Sequence, residues 1–343
     1  NPHVLSSAAS DVYKRQRPPY VASPNNRPDF AWNEWTPPER RHGFGFWYAY
    51  GTMDDHLEPM YWTTDAPRDG AHRVQQWGPE HETDVALGFL RNEGGTLRDP
   101  DAPFALVVAM NPPHMPYGKV PERYKQVYAD RTARELCPRP NVDVEGDDRM
   151  ARLAREQTRN YFAMMTGIDE QVGRLLDALD ELGLADDTIV LFTSDHGNCL
   201  GTHGEVSKNN AYEESMRVPF LVRWPGVIPP RRDDLLLSTP DIGPTLLGLM
   251  GLGERTPSTM QGASHAALFR GEPGTRPSAQ PYFWMPYGEP ALGRRGVRTG
   301  RYTLVVERSA DGPPTTRLYD REIDPYQLQD VAAEQPEVVE RLL

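Results

Sequence analysis

Two apolar runs with a long amphipathic segment between them constrain this chain more than any other feature. FALVVAM, Phe104 to Met110, is continuously apolar and is stopped by Asn-Pro-Pro, the pattern of a buried strand. Tyr161, Met165, Ile168, Val172, Leu175, Leu179 and Leu182 then recur at alternating steps of four and three, one face of a helix. The spacing predicts that this face packs on a core and does not line a cofactor site. Gly183 ends the helix, and TIVLFTS, Thr188 to Ser194, follows as a second buried strand. Strand, loop, long helix, strand is the βαβ unit of a parallel sheet. Ligands of open α/β sheets bind outside the carboxyl ends of the strands. NPPHMPY and DHGNCLGTHGEVSK fall at two such ends, which predicts a site there.

The flanking text adds further elements. WGPEHETDVALGFLRN predicts a helix, PFLVRWPG a third strand, and STPDIGPTLLGLMG a short helix with proline in its first turn. Past about Gly274, GVRTGRYTLVVER and TRLYDREIDP predict antiparallel strands followed by a helical tail. The expected organisation is therefore an α/β domain over residues 17–274 and a smaller C-terminal subdomain over 275–343. NPHVLSSAASDVYKRQ, residues 1–16, has no initiator Met and shares no pattern with the Pro- and aromatic-rich text after it. We read it as a non-native junction, with the natural chain beginning upstream.

Charge and cysteine usage exclude some classes. With 49 acidic and 37 basic residues the formal charge is −12, which argues against general nucleic-acid or anionic-membrane binding. No run of eighteen apolar residues exists, so no membrane-spanning segment is expected. Cys137 and Cys199 are too few for a disulfide framework, and the sequence leaves open whether they pair.

Asp195 and His196 are adjacent where a strand ends, so both side chains can turn toward one ion. A carboxylate suits Ca²⁺, Mg²⁺ or Mn²⁺, whereas imidazole favours transition metals. The residues alone allow a plainer account, in which Asp195 caps the following turn. Lys208 lies beyond a Gly-rich loop and offers a compact positive charge for an oxyanion, although most lysines are simply solvated. His114 follows two prolines that fix the backbone, and it could contact an oxyanion or protonate a leaving group. His203 is a candidate substrate contact for which a structural role is the stronger reading. Asn198 is expected to support the loop.

SDHGNCLGTHGEVSKNNAYEESMRVPFLVRWPG resembles the second signature region of the sulfatase family, within the alkaline phosphatase-like superfamily. PFALVVAMNPPHMPYGKVPERY, the helix-to-strand stretch ending in SDHG, STPDIGPTLLGLMGL, QGASHAALFRG and the VRTGRYTLV and LYDREIDP strands resemble further segments of it, in order. The likeness covers most of Arg17 to Leu343. It implies a mixed or parallel α/β sheet flanked by helices, with a small C-terminal antiparallel sheet. It also implies that Asp195 and His196 are the second pair of metal ligands, usually for Ca²⁺. The family often has Asn where His196 stands, which leaves Mn²⁺ or another divalent metal open. Lys208 matches the lysine that contacts sulfate, and His114 the histidine that contacts sulfate or the leaving oxygen.

The same resemblance calls for a C/S-x-P-S-R motif, whose Cys or Ser becomes a formylglycine nucleophile, and for an Asp-Asp metal pair after a strand. This chain has neither. Cys137, in CPRP, lacks the spacing, and Thr36, in TPPER, has no strand before it. Asp54-Asp55 also lacks a preceding apolar strand. Asp147-Asp148, Asp186-Asp187 and Asp233-Asp234 read as helix-start or turn carboxylates. The expectation is an N-terminally truncated sulfuric ester hydrolase, inactive by itself, from a parent acting on a small-molecule or carbohydrate sulfate ester. Alternatives are a phosphonate monoester hydrolase or phosphodiesterase of the same superfamily, or a non-catalytic anion-binding pseudo-enzyme. The family suggests a periplasmic or secreted protein.

Overall fold

In the computed structural model the apolar runs form strands at the positions their composition predicts. The structure describes the backbone of residues 3–6, Asn33, residues 35–286 and residues 289–343. The expected junction at 1–16 otherwise lies outside the described residues. The chain divides into two compact units, residues 1–136 with 156–185, and residues 137–155 with 186–343.

The first unit contains β1 (His3–Ser6), β2 (Trp47–Ala49), β3 (Met60–Tyr61), β4 (His72–Arg73), α1 (Gly78–Arg91) and β5 (Leu106–Ala109). β1 runs parallel between β2 and β5, with Leu5 opposite Tyr48 on one side and Val108 on the other. β3 and β4 form a short antiparallel ladder. Tyr50, Tyr61 and Trp62 are buried together and carry Trp35, Tyr48 and Met60 against them. Much of the aromatic-rich N-terminal text therefore packs inward. α1 begins with Pro79 in its first turn, where a missing N–H costs nothing, and ends on Asn92 in the left-handed conformation.

The long helix α2 spans Arg149–Glu181. It starts where the Asp148 carboxylate accepts the backbone N–H groups of Met150 at 2.7 Å and Ala151 at 2.8 Å, an N-cap. It stops where Gly183 takes φ +65° and Leu184 N–H reaches back to the Leu179 carbonyl at 2.9 Å. Its buried face differs from the one the large apolar residues trace. Ala154, Ala163, Met164, Ile168, Gln171, Ala178 and Leu179 are buried, whereas Met165 and Leu182 are 38% and 39% exposed. Small side chains let aromatic neighbours such as Trp77 and Tyr124 approach the helix axis closely, against Gly167, while Met165 and Leu182 turn outward.

The second unit contains β6 (Val190–Thr193), β7 (Phe220–Arg223), α3 (Thr239–Leu249), β8 (Ala279–Trp284), β9 (Gly293–Thr299), β10 (Tyr302–Arg308), β11 (Thr315–Asp320) and α4 (Pro336–Leu342). β6 pairs with β7, antiparallel, Leu191 lying opposite Val222. The parallel neighbour expected for β6 is thus not the pairing found among the described residues. α3 opens with a capping box between Ser238 and Asp241, as its Ser-Thr-Pro-Asp start dictates. The expected C-terminal antiparallel sheet is present, in the order β11-β10-β9-β8. Leu304, Leu318 and Val338 bury one of its faces beneath α4. No helix among the described residues is long and apolar enough to cross a membrane.

Candidate functional site

Three of the predicted residues meet where β6 ends. The chain leaves the strand at Ser194, whose hydroxyl donates to the His196 carbonyl at 2.7 Å. Asp195 Oδ1 accepts the His196 backbone N–H at 2.9 Å, which fixes the carboxylate beside its neighbour. Gly197 N–H donates to the Ser215 carbonyl at 2.8 Å, and a Cβ at this position would lie 2.0 Å from the Glu214 carbonyl oxygen. Only glycine allows that approach. The loop then closes on itself through Cys199 N–H to Ser207 O at 2.7 Å and Gly201 N–H to Glu205 O at 2.9 Å. That closure returns Lys208 to the strand end, its Nζ 2.6 Å from His196 Nε2.

The hydrogen bonds fix the tautomer of His196. Nδ1 stands 2.7 Å from the Gly197 carbonyl, an oxygen that only accepts, so Nδ1 carries the proton. Nε2 is then a lone-pair donor atom, held 3.4 Å from Asp195 Oδ2. A carboxylate oxygen beside an imidazole lone pair could offer two ligands to a divalent metal, and the Lys208 ammonium rests against the imidazole. Among the described residues no group of three or more His, Cys, Asp or Glu is placed to hold a metal. Asn198 does what the sequence suggests, its side-chain oxygen accepting the Leu200 N–H at 3.1 Å within the loop.

His203 occupies a different environment. Its side chain is 6% exposed and stacks on Tyr212 at a centroid separation of 3.6 Å. Nε2 is 3.0 Å from Asn141 Nδ2 and 3.5 Å from Glu214 Oε2. Asn141 also donates to Glu214 Oε1 at 2.7 Å. Burial would raise the Glu214 pKa, but the contacts with His203 and Asn141 outweigh it and pull the carboxyl down to about 2. This network pins the 199–207 loop, and neither Asn141 nor Glu214 was recognisable from sequence. Cys137 and Cys199 form no disulfide, and Cys199 is buried near Asn210.

His114 belongs to the first unit. Its Nδ1 lies 2.8 Å from the Met115 carbonyl and 3.2 Å from Asp54 Oδ1, so Nδ1 bears the proton. Asn111 donates to the Met53 carbonyl at 2.8 Å, and His56 Nε2 stands 2.9 Å from the His114 carbonyl. Burial holds the His56 pKa below its usual value, so His56 acts as a neutral donor. Burial works against ionisation of Asp54, yet the contacts with His114 and His56 leave its pKa below the usual carboxylate range. Asp55 instead pairs with Lys119 at 2.7 Å and Arg73 at 3.3 Å. The Asp54-Asp55 dipeptide, weak as a metal pair in the sequence, is here a support for His114 and its loop.

The sulfatase family profile matches residues 22–252, two thirds of the chain. The chain belongs to the sulfatase family. Residues 201–342 also match the profile described as N-sulphoglucosamine sulphohydrolase, C-terminal. The chain is 43% identical over 330 residues to the endo-4-O-sulfatase of Bacteroides thetaiotaomicron, covering 91% of this chain and 63% of the relative. It is 34% identical to the ulvan-active sulfatase of Formosa agariphila, covering 85% and 55%. The solved yidJ protein of Bacteroides fragilis superposes with a TM-score of 0.86 at 43% identity, over 94% of this chain and 69% of that one. A phosphonate monoester hydrolase of Agrobacterium radiobacter, at 23% identity and a TM-score of 0.58, shares the fold. The chain thus spans less than two thirds of the length of these two curated relatives.

Proposed function

We propose that this sulfatase chain carries the metal- and sulfate-binding residues of a sulfuric ester hydrolase acting on a sulfated carbohydrate. The observation that carries the reading is the convergence of Asp195, His196 and Lys208 at the end of β6. Relatives named endo-4-O-sulfatase, ulvan-active sulfatase and N-acetylglucosamine-6-O-sulfatase support the carbohydrate class.

In this reading Asp195 and His196 would hold a divalent metal, Ca²⁺ or Mn²⁺, through a carboxylate oxygen and Nε2. The donor set fits either ion, because the oxygen suits both and the imidazole nitrogen favours the second. A metal there would polarise a sulfate oxygen. Lys208 neutralises the charge of the sulfate group with a short, charge-assisted contact. In the first unit, the Met115 carbonyl and Asp54 hold the His114 ring through Nδ1–H; contact with an oxyanion or leaving oxygen would require the imidazolium, whose Nε2–H donates. No C/S-x-P-S-R motif occurs in the 343 residues, so binding is the property this chain is expected to display.

The test is calorimetric titration of a 4-O-sulfated disaccharide and of a phosphate diester into the chain with Ca²⁺ or Mn²⁺ present. Metal-dependent binding of the sulfated sugar that weakens in K208A supports the proposal. Preference for the diester favours the phosphoesterase alternative and overturns it.

A further inference from the structure

We propose that Arg294 and Arg298 of β9 are positioning residues for the candidate site. Arg294 sets the backbone that carries Lys208, and Arg298 sets the strand end that carries Asp195 and His196. This role rests on the reading of those three residues as a metal and sulfate site, and it extends that site to the C-terminal sheet. All of the residues involved belong to the second unit.

The two arginines share one face of β9, because side chains alternate along a strand and positions 294 and 298 are four apart. They grip the segment after Lys208 at two positions, 209 and 213, that are also four apart. Arg294 Nη1 donates to the Asn209 carbonyl at 2.6 Å. Arg298 clasps the Glu213 carboxylate with both arms, Nε to Oε1 at 2.8 Å and Nη2 to Oε2 at 2.9 Å. The Arg298 and Glu213 side chains are 21% and 16% exposed, and a two-armed contact fixes direction as well as distance. Arg294 is itself held from both neighbouring strands. Its Nε donates to Glu307 of β10 at 3.0 Å, and its guanidinium lies 5.6 Å from the Trp284 ring of β8.

The gripped residues are joined directly to the candidate ligands. Asn209 follows Lys208 and takes φ +73°, a left-handed conformation that glycine adopts freely and asparagine at some cost. The Arg294 contact holds that conformation and so fixes where the Lys208 side chain starts. Glu213 opens the helical turn Glu213–Met216, in which the Ser215 carbonyl accepts the Gly197 N–H at 2.8 Å. Gly197 follows His196, so the clamp on Glu213 acts one hydrogen bond away from the metal pair. Gln327 strengthens the same grip, accepting the Glu213 N–H at 2.8 Å and donating to the Ala211 carbonyl at 3.3 Å. A binding site keeps its affinity only while such supporting contacts hold its ligands in place.

The experiment is calorimetric titration of Mn²⁺, and then of a 4-O-sulfated disaccharide at saturating Mn²⁺, with a thermal melt of each protein. The proteins are the 343-residue chain and its R294A, R298A and R298K variants. The expected result is a split between the two ligands. R294A should bind Mn²⁺ like the wild type and the sulfated sugar about fivefold more weakly. R298A should bind Mn²⁺ at least about tenfold more weakly, as loss of an outer support does at metal sites. R298K keeps the charge without the two-armed contact, so it should bind Mn²⁺ about threefold more weakly, and it carries the test if R298A does not fold. Lower melting temperatures with both affinities unchanged make the arginines structural only and overturn the proposal. Equal loss of both ligands in R294A also overturns it. A wild type that binds neither ligand overturns the functional reading and this role with it, whereas the preceding outcomes leave wild-type binding intact and overturn this role alone.

Discussion

Lys208 Nζ and His196 Nε2 stand 2.6 Å apart, so one candidate residue's positive charge rests on the lone pair that the other would offer a metal. A cation at Nε2 and the ammonium cannot share that lone pair. Metal binding should therefore release Lys208 to face an anion. In K208A, metal affinity is expected to equal or exceed the wild type, while affinity for a sulfated sugar falls about tenfold or more, since a charge-assisted contact contributes roughly 1.5–3 kcal/mol. Calorimetry with each ligand separately checks both halves.

The imidazole of His196 should also set metal preference. Replacing it with an amide oxygen in H196N removes the nitrogen that favours transition metals. The ratio of Mn²⁺ to Ca²⁺ affinity is expected to fall several-fold, whereas D195A weakens both ions. Competition titration reads this ratio directly.

Glu214 makes the loop sensitive to acid. Its folded pKa lies below the unfolded one, so its contribution is present above about 4.5 and is lost as pH falls toward about 2. A depression of that size corresponds to roughly 3 kcal/mol, held by a side chain only 7% exposed. E214Q is expected to lower the melting temperature at neutral pH and to flatten the acid limb of its pH dependence.

Glu82 acts in the opposite direction. It is buried, receives the Tyr61 hydroxyl at 3.0 Å, and its Oε2 has no hydrogen-bond partner among the described residues. Burial pushes its pKa up to about 8, with the Tyr61 contact opposing. A folded pKa above the unfolded value means that stability is fully present below about 4.5 and declines as pH rises through about 8. E82Q, the isostere of the protonated acid, should be more stable than wild type at about pH 9 and similar at about pH 4. Thermal melts across that range decide it.

Gly197 should tolerate no side chain. A methyl group 2.0 Å from the Glu214 carbonyl forces the strand end away from residues 214–215. G197A is expected to cost on the order of 1–3 kcal/mol and to weaken metal binding with it. An alanine scan of Ser194 to Asn198 with paired stability and metal titrations would show the largest loss at this position.

The local elements were legible because each announces itself within a few residues. β5, β6, β7, α1 and α3 stand within their expected runs, α2 starts at Arg149, well before the expected Tyr161, and the C-terminal strands form the expected antiparallel sheet. Asp195, His196 and Lys208 were found together because one short loop closes between them. What sequence did not show depends on distant partners. The antiparallel register of β6 on β7 leaves no mark in either strand. The buried face of α2 runs through Ala154, Ala163 and Met164, which apolar size underweights against Met165 and Leu182. Asp54 reaches His114, and Asn141 reaches Glu214 and His203, across long stretches of chain with no motif between them.

The central claim is that Asp195, His196 and Lys208 bind a metal and a sulfate ester as one unit. The most direct measurement is titration of a 4-O-sulfated disaccharide into wild type and K208A, each with and without Mn²⁺ or Ca²⁺. The account predicts binding that appears only with metal and drops at least tenfold in K208A. Equal affinity in the two proteins, or affinity unchanged by the metal, would contradict it.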